Sequence, residues 1–152
     1  MLNRWVERDG LKDTLQELGV GSIAFSPLAQ GMLSTKYLSG VPENSRAAQD
    51  KSLSPNMLSE QALSNIRQLN EIAKARGQTL AQMAIAWVLR EGGITTALIG
   101  ASKPAQITDC AGAINNLNFT PEDLVDIDKY ALEEGINLWA LSSETPQGAT
   151  QR

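Results

Sequence analysis

The residues best suited to chemistry in this chain are polar and cationic groups placed just after short apolar runs. In Ile23 to Tyr37, IAFSPLAQGMLSTKY, the apolar run stops at Pro27 and passes into a small-residue turn carrying Gln30, Ser34 and Lys36. Further on, Thr95 to Ile99 is a second short apolar run; it ends in Gly100, Ala101 and Ser102, and Pro104 opens a helical pattern behind Lys103. The chemistry this second stretch suits is anion binding, because the first N–H groups of a helix lack intrahelical acceptors and the helix dipole is positive there. Lys36 taken alone reads as a solvated surface lysine. Arg46 stands in the middle of a long polar segment.

Acid–base and nucleophilic chemistry is poorly provided for. The chain has no histidine and one cysteine, Cys110, so it offers neither an internal disulfide nor a Cys/His zinc spacing. Cys110 falls on the apolar stripe of a helix with no cation at helical spacing to lower its pKa, and reads as a core thiol rather than a reactive one. Tyr37 beside Lys36 does not make a proton-donating pair, since adjacent side chains diverge in a regular backbone.

The elements that must position these groups can be read from periodicity. Leu11, Leu15 and Leu18 share one face of a short helix that Gly19 stops, and Ser22 to Ser26 follows as a strand. Leu38 to Asn56 is a loop long enough to be a functional flap, with a disordered surface loop as the plainer alternative. Ala62, Leu63, Ile66, Leu69 and Ala73 stripe one helix, which ends before Gly77. Thr79 and Gln82 form a capping box for a more apolar helix running to Leu89, which Gly92 and Gly93 stop. Ile94 to Ile99 is the second strand, and the helix behind it is expected to turn Ile107, Cys110, Ala111, Ile114 and Leu117 inward. Thr120 and Pro121 start a last helix striped by Leu124, Ile127 and Ala131, and residues 142–152 form a tail expected to fray.

Strands separated by helices run parallel, because a parallel pair cannot be closed by a hairpin. The fold class is therefore α/β, yet two parallel strands with open edges make a poor sheet on their own. The 152 residues, 42 % of them hydrophobic, make one ordinary globular domain. A formal charge of −4, from 17 acidic and 13 basic residues with no basic run, argues against nucleic acid or an anionic membrane as partner. The N-terminus lacks an apolar leader core, and no stretch reaches the length of a membrane span, so the expectation is a soluble, cytoplasmic protein.

Four stretches at matching order and spacing, FSPLAQGMLSTKY, VPENSRA, TLAQMAIAWVL and LIGASKPAQI, resemble the C-terminal part of aldo-keto reductases. Within that superfamily they are most similar to the branch holding bacterial L-glyceraldehyde 3-phosphate reductases and the potassium-channel β subunits. The resemblance implies a (β/α)8 TIM barrel with NADP(H) across the C-terminal ends of the strands, the two strands of this chain being its seventh and eighth. Such a barrel needs about 250 residues. Residues 1–152 are therefore expected to be a C-terminal fragment of an NADP-dependent oxidoreductase domain, Met1 being an internal methionine of a longer protein.

By the same resemblance Phe25, Ser26, Pro27, Leu28, Ala29 and Gln30 would line the pyrophosphate and nicotinamide end of the cofactor. Lys36 and Arg46 would reach the 2′-phosphate or pyrophosphate, and Gly100, Ser102, Gln106 and Asp109 would hold the adenine ribose phosphate. Two positions depart from the pattern: Cys110 stands where an asparagine is common, and Asn44 where the channel subunits carry a tyrosine. The family's catalytic Asp, Tyr, Lys and His lie on earlier strands. The implied function is NADPH-dependent reduction of a small carbonyl substrate such as L-glyceraldehyde 3-phosphate or methylglyoxal, with homo-oligomerisation left open. The alternatives are a non-catalytic nucleotide-binding or channel-subunit-like interaction module, or an inactive truncated product.

General acid catalysis contributes about 10² to 10⁴-fold, and residues 1–152 lack its apparatus. Alone they are expected to oxidise no NADPH with methylglyoxal or glyceraldehyde 3-phosphate above a mock-purified control; turnover above that control would refute the reading.

Overall fold

A computed structural model describes residues 1–42 and 58–133 of the chain. In order these form α1 (Trp5–Arg8), α2 (Leu11–Glu17), β1 (Ile23–Phe25), two 3-10 turns (Ala29–Gly31 and Thr35–Tyr37), α3 (Glu60–Ala75), α4 (Leu80–Leu89), β2 (Thr96–Leu98), α5 (Pro104–Ala111), a 3-10 turn (Gly112–Asn115) and α6 (Pro121–Tyr130).

Local chemistry sets the ends of these elements. Gly19 (φ 65) closes α2 by donating to the Gln16 carbonyl while Val20 reaches back to Leu15 O. Gly77 (φ 68) ends α3 the same way, with Gln78 N–H on Ala73 O. A side chain would be strained at either left-handed position. Thr79 and Gln82 form the expected reciprocal cap of α4, and Thr120 and Asp123 do the same for α6.

α4 is buried along most of its length, from Leu80 through Val88, and packs against α3, whose Ala62, Leu63, Ile66, Leu69 and Ala73 are also buried. The two helices connect β1 to β2, which pair parallel with Ile23 opposite Thr96, Ala24 opposite Ala97 and Phe25 opposite Leu98. Ala24 and Ala97 lie against the core, so the helices cover one face of the sheet.

Several expectations need correction. Both strands are three residues long, shorter than the apolar runs that announced them. α1 was not foreseen. No residue of α2 is fully buried: Leu18 is 70 % exposed, Leu11 37 %, and Leu15 is half-buried, so its leucine stripe is only partly covered among the described residues. Behind β2, only Cys110 of the predicted inward set is buried; Ile107 (55 %) and Ile114 (66 %) are exposed, Ala111 is exposed and Leu117 half-covered. The helix stops at Ala111, and the following 3-10 turn changes the angular phase so that Ala113 points inward instead of Ile114. Much of the long loop after Leu38, including Asn44 and Arg46, lies outside the described residues, as does the tail from 134.

Arg76 ties the C-terminal helix to α3. Its guanidinium pairs with Asp123, donates to Asn118 O at 2.8 Å and lies 3.7 Å from the Phe119 ring centroid. The Arg76 side chain is only 6 % exposed and that of Asp123 25 %, so the pair is partly shielded from water.

At the other end Met1 and Leu2 are buried, and the Met1 α-amino group goes in with them. Burial, aided by the positive charges of Arg4 and Arg90 and opposed by Glu7, lowers its pKa from 8.0 to about 5. Between those values the unfolded chain holds more protons, so stability is full above pH 8 and falls as the pH drops toward 5. The loss attributable to this group is up to about 4 kcal/mol. Urea midpoints of the chain at pH 8 and pH 5 should therefore diverge more than those of its N-acetylated form. Equal divergence would show that the amine is solvated in the native state.

Candidate functional site

The loop after β1 is built under backbone strain. Ser26 (φ 50), Ala29 (φ 48) and Gln30 (φ 58) all adopt left-handed conformations although none is glycine. Each such residue costs about 1–2 kcal/mol, and the conformation persists because its surroundings hold it. Ala29 N–H donates to Ser26 O at 2.9 Å, Gly31 N–H to Leu28 O at 2.9 Å, and Leu33 N–H to the same carbonyl at 3.1 Å. Met32 and Leu33 then anchor the loop in the core with no exposed surface. Ser34 Oγ donates to Gly31 O at 2.6 Å and accepts from Lys36 N–H at 3.3 Å, and Arg67 of α3 donates to Leu38 O at 3.1 Å. Strain overdetermined by packing in this way is typical of ligand-facing loops.

Parallel pairing sets the second loop beside the first. Since Phe25 faces Leu98, Ser26 and Pro27 leave the sheet at the same end as Ile99 and Gly100. The start of α5 is not an open anion cradle, however. Gln106 Oε1 accepts from Ser102 N–H at 2.8 Å and Lys103 N–H at 3.2 Å, so the main-chain donors just ahead of the helix are already taken, and an anion on them requires that side chain to swing out. Asp109 is also engaged. Its carboxylate accepts from Thr79 Oγ1 at 3.1 Å and Gln82 Nε2 at 3.0 Å, joining α5 to the cap of α4.

Of the residues singled out in the sequence, Phe25, Ser26, Pro27, Ala29 and Gln30 line one cleft of about 790 Å³. Leu28 packs against the core instead. Gly100, Ser102 and Gln106 lie at the start of α5 and Asp109 in its last turn, all outside that cleft, and Lys36 is exposed with its Nζ 5.6 Å from the Tyr37 ring centroid. The two side chains thus meet, but through the ring face. Tyr37 is 1 % exposed and its hydroxyl has no partner among the described residues, which removes it from any substrate. Arg46 lies outside the described residues. Burial, then the charge of Asp109, pushes the Cys110 thiol up, as befits a core thiol. No cluster of metal-ligating side chains occurs among the described residues.

Three features of the site escaped the sequence. The left-handed run at Ser26, Ala29 and Gln30 had no signal, since serine, alanine and glutamine do not announce it. The Gln106 cap was missed although it carries a signal, a glutamine at the third helical position. The Asp109 tie to Thr79 and Gln82 is a tertiary contact that no spacing announces.

The profile of the "Aldo/keto reductase family" matches residues 1–132. The chain belongs to the aldo/keto reductase family. It is 48 % identical over 148 residues to an L-glyceraldehyde 3-phosphate reductase of Escherichia coli O157:H7, and 47 % identical to that of Escherichia coli strain K12. Each alignment takes in 95 % of this chain and 43 % of the relative, so the chain spans less than half the length of these curated relatives. Among solved structures, the crystal structure of a thermostable aldo-keto reductase in complex with the inhibitor epalrestat is similar at TM-score 0.54 and 26 % identity, over 84 % of this chain and 36 % of that one. Two parallel strands joined by helices, with this likeness, make the α/β architecture that of part of an aldo-keto reductase barrel.

The strain can be tested by contrast. Alanine to glycine inside a helix costs about 1 kcal/mol, and Ala73→Gly in α3 should lose at least that. Ala29→Gly should leave the urea midpoint unchanged or raise it, since glycine relieves the left-handed position. A loss at Ala29 equal to that at Ala73 would show that the loop is not strained.

Proposed function

We propose that this chain is the cofactor-holding portion of an NADPH-dependent reductase acting on small aldehydes or ketones. The observation that carries the reading is the strained loop Ser26–Gln30 at the C-terminal end of a parallel strand, beside the start of α5. Ligand sites of parallel α/β folds form at that end of the sheet. The relatives named L-glyceraldehyde 3-phosphate reductase support a phosphorylated three-carbon aldehyde as the substrate class.

The residues present fit a dinucleotide in part. A loop of small residues in left-handed conformation lets main-chain groups approach a pyrophosphate closely. Lys36 is exposed and able to reach an anion, and Ser102 with Lys103 becomes available once Gln106 moves. Asp109 serves better as a tie between the last turn of α5 and the cap of α4 than as a direct ribose contact. The cofactor would supply the hydride. This chain's residues would orient it, and the proton donor would come from outside residues 1–152. Because the chain has no histidine, a purely nucleotide-binding module is the second reading.

Affinity separates the phosphate assignment from a structural role. In a chimera where this segment replaces the matching stretch of the Escherichia coli K12 relative, Lys36→Ala and Arg46→Ala should each weaken NADPH binding. A hydrogen bond to a charged group is worth about 1.5–3 kcal/mol, so the loss should be on the order of tenfold to a hundredfold. NADH binding should barely change. Equal losses for both cofactors would assign these residues to the loop's structure. NADPH binding without turnover of any carbonyl by the chimera would favour the nucleotide-binding module.

A further inference from the structure

The turn that carries Lys36 is weakly bonded within itself. Lys36 N–H reaches Ser34 Oγ at 3.3 Å and Leu38 N–H reaches Thr35 O at 3.4 Å. Both are longer than the usual distance of about 2.9–3.0 Å. Tyr37, 1 % exposed, anchors the middle of the turn by packing, since its hydroxyl has no partner among the described residues. A buried ring fixes one point of the turn and leaves the backbone beyond it to hydrogen bonds. Among the described residues, the one side chain that bonds this turn from another element is Arg67 of α3, whose Nε donates to Leu38 O at 3.1 Å. Arg67 is exposed, yet it is not spent on a helix-surface ion pair. Glu71, one turn further along α3, takes Lys74 at 2.8 Å, and no carboxylate among the described residues pairs with the Arg67 guanidinium.

We propose that Arg67 is a positioning residue for anion binding: by holding Leu38 O it fixes the turn from which Lys36 reaches a 2′-phosphate, and so strengthens the preference for NADPH over NADH. The inference rests on the phosphate reading of Lys36 given above and adds the residue that orients that lysine. The Lys36 side chain is exposed, and its ring contact at 5.6 Å lies near the outer limit of a cation–π interaction, about 6 Å. Where its ammonium sits therefore depends on the backbone that carries it. A loose turn must be ordered when an anion binds, at a cost in affinity, and a turn held in advance avoids that cost. Arg67 makes its hold through a neutral carbonyl, which gives its effect a signature. The effect vanishes when Lys36 is absent, whereas a direct contact of Arg67 with the anion, or the mere loss of a positive charge, would persist.

The test is a double-substitution cycle on the full chain carried in the chimera described above, read by the dissociation constants of NADPH and NADH at one salt concentration. Arg67→Ala should weaken NADPH binding about two- to tenfold, as the loss of one ordinary hydrogen bond would, and leave NADH binding unchanged. In the Lys36→Ala background the same substitution should cause no further loss. Lys74→Ala, which removes another exposed cation from α3, should leave both cofactors unaffected. A merely structural role would lower both affinities alike, so the ratio of the two constants tells it from positioning. An effect of Lys36→Ala on NADPH without one of Arg67→Ala, losses that multiply in the double variant, or equal losses of both cofactors on Arg67→Ala would each overturn the inference and leave the phosphate reading of Lys36 standing. Lys36→Ala without effect on NADPH would remove that reading, and the role of Arg67 with it.

Discussion

The parallel pairing of β1 with β2 is the constraint on which the rest depends. Three residues on each side meet in register, and that short ladder decides where both connecting loops emerge. Because a parallel pair cannot be joined by a hairpin, the chain must cross from one end of the sheet to the other between them. α3 and α4 lie within that crossover, which explains why α4 is apolar almost all round: it is wedged between the sheet and its neighbouring helices. The loops at Ser26 and Gly100 are then neighbours by geometry rather than by any direct attraction.

Packing behind the ladder stabilises the strain in front of it. Met32, Leu33 and Tyr37 sink into the same core as Leu69, Leu80 and Met83, so the turn between Phe25 and Met32 has little freedom left. Three non-glycine residues in left-handed conformation cost several kcal/mol together, about 1–2 each, and that cost is met by burial on either side of the loop. On the second loop the polar groups are tied down differently. Gln106 caps the start of α5, and Asp109 joins α5 to α4, so the polar groups of this helix are satisfied by the chain's own side chains. Asp109 acts as a tie and Gln106 as a cap.

Much of this was legible in the residues. The stripes of α3, α4 and α6, the Thr79 and Thr120 caps and the left-handed glycines behind α2 and α3 each follow from local chemistry and stand where expected. The failures share a cause. The stripes of α2 and of the segment behind β2 are amphipathic, but amphipathicity states only that a face is to be covered, not that the covering element is present. Leu11, Leu18, Ile107 and Ile114 therefore mark surfaces whose partners are not among the described residues. Positive φ at Ser26, Ala29 and Gln30 was illegible because it is imposed by packing on residues with no preference for it. The family membership, carried by motifs spread over residues 1–132, needed none of this geometry.

Because both loops take their positions from one short ladder, the most direct measurement is of that ladder in solution. Nuclear Overhauser contacts in the labelled chain should follow the parallel pattern, linking Ile23 with Thr96, Ala24 with Ala97 and Phe25 with Leu98 in register. That result would put the two loops at one end and keep a shared site in play. An antiparallel pattern, or no contact between these segments, would separate the loops and contradict the shared site.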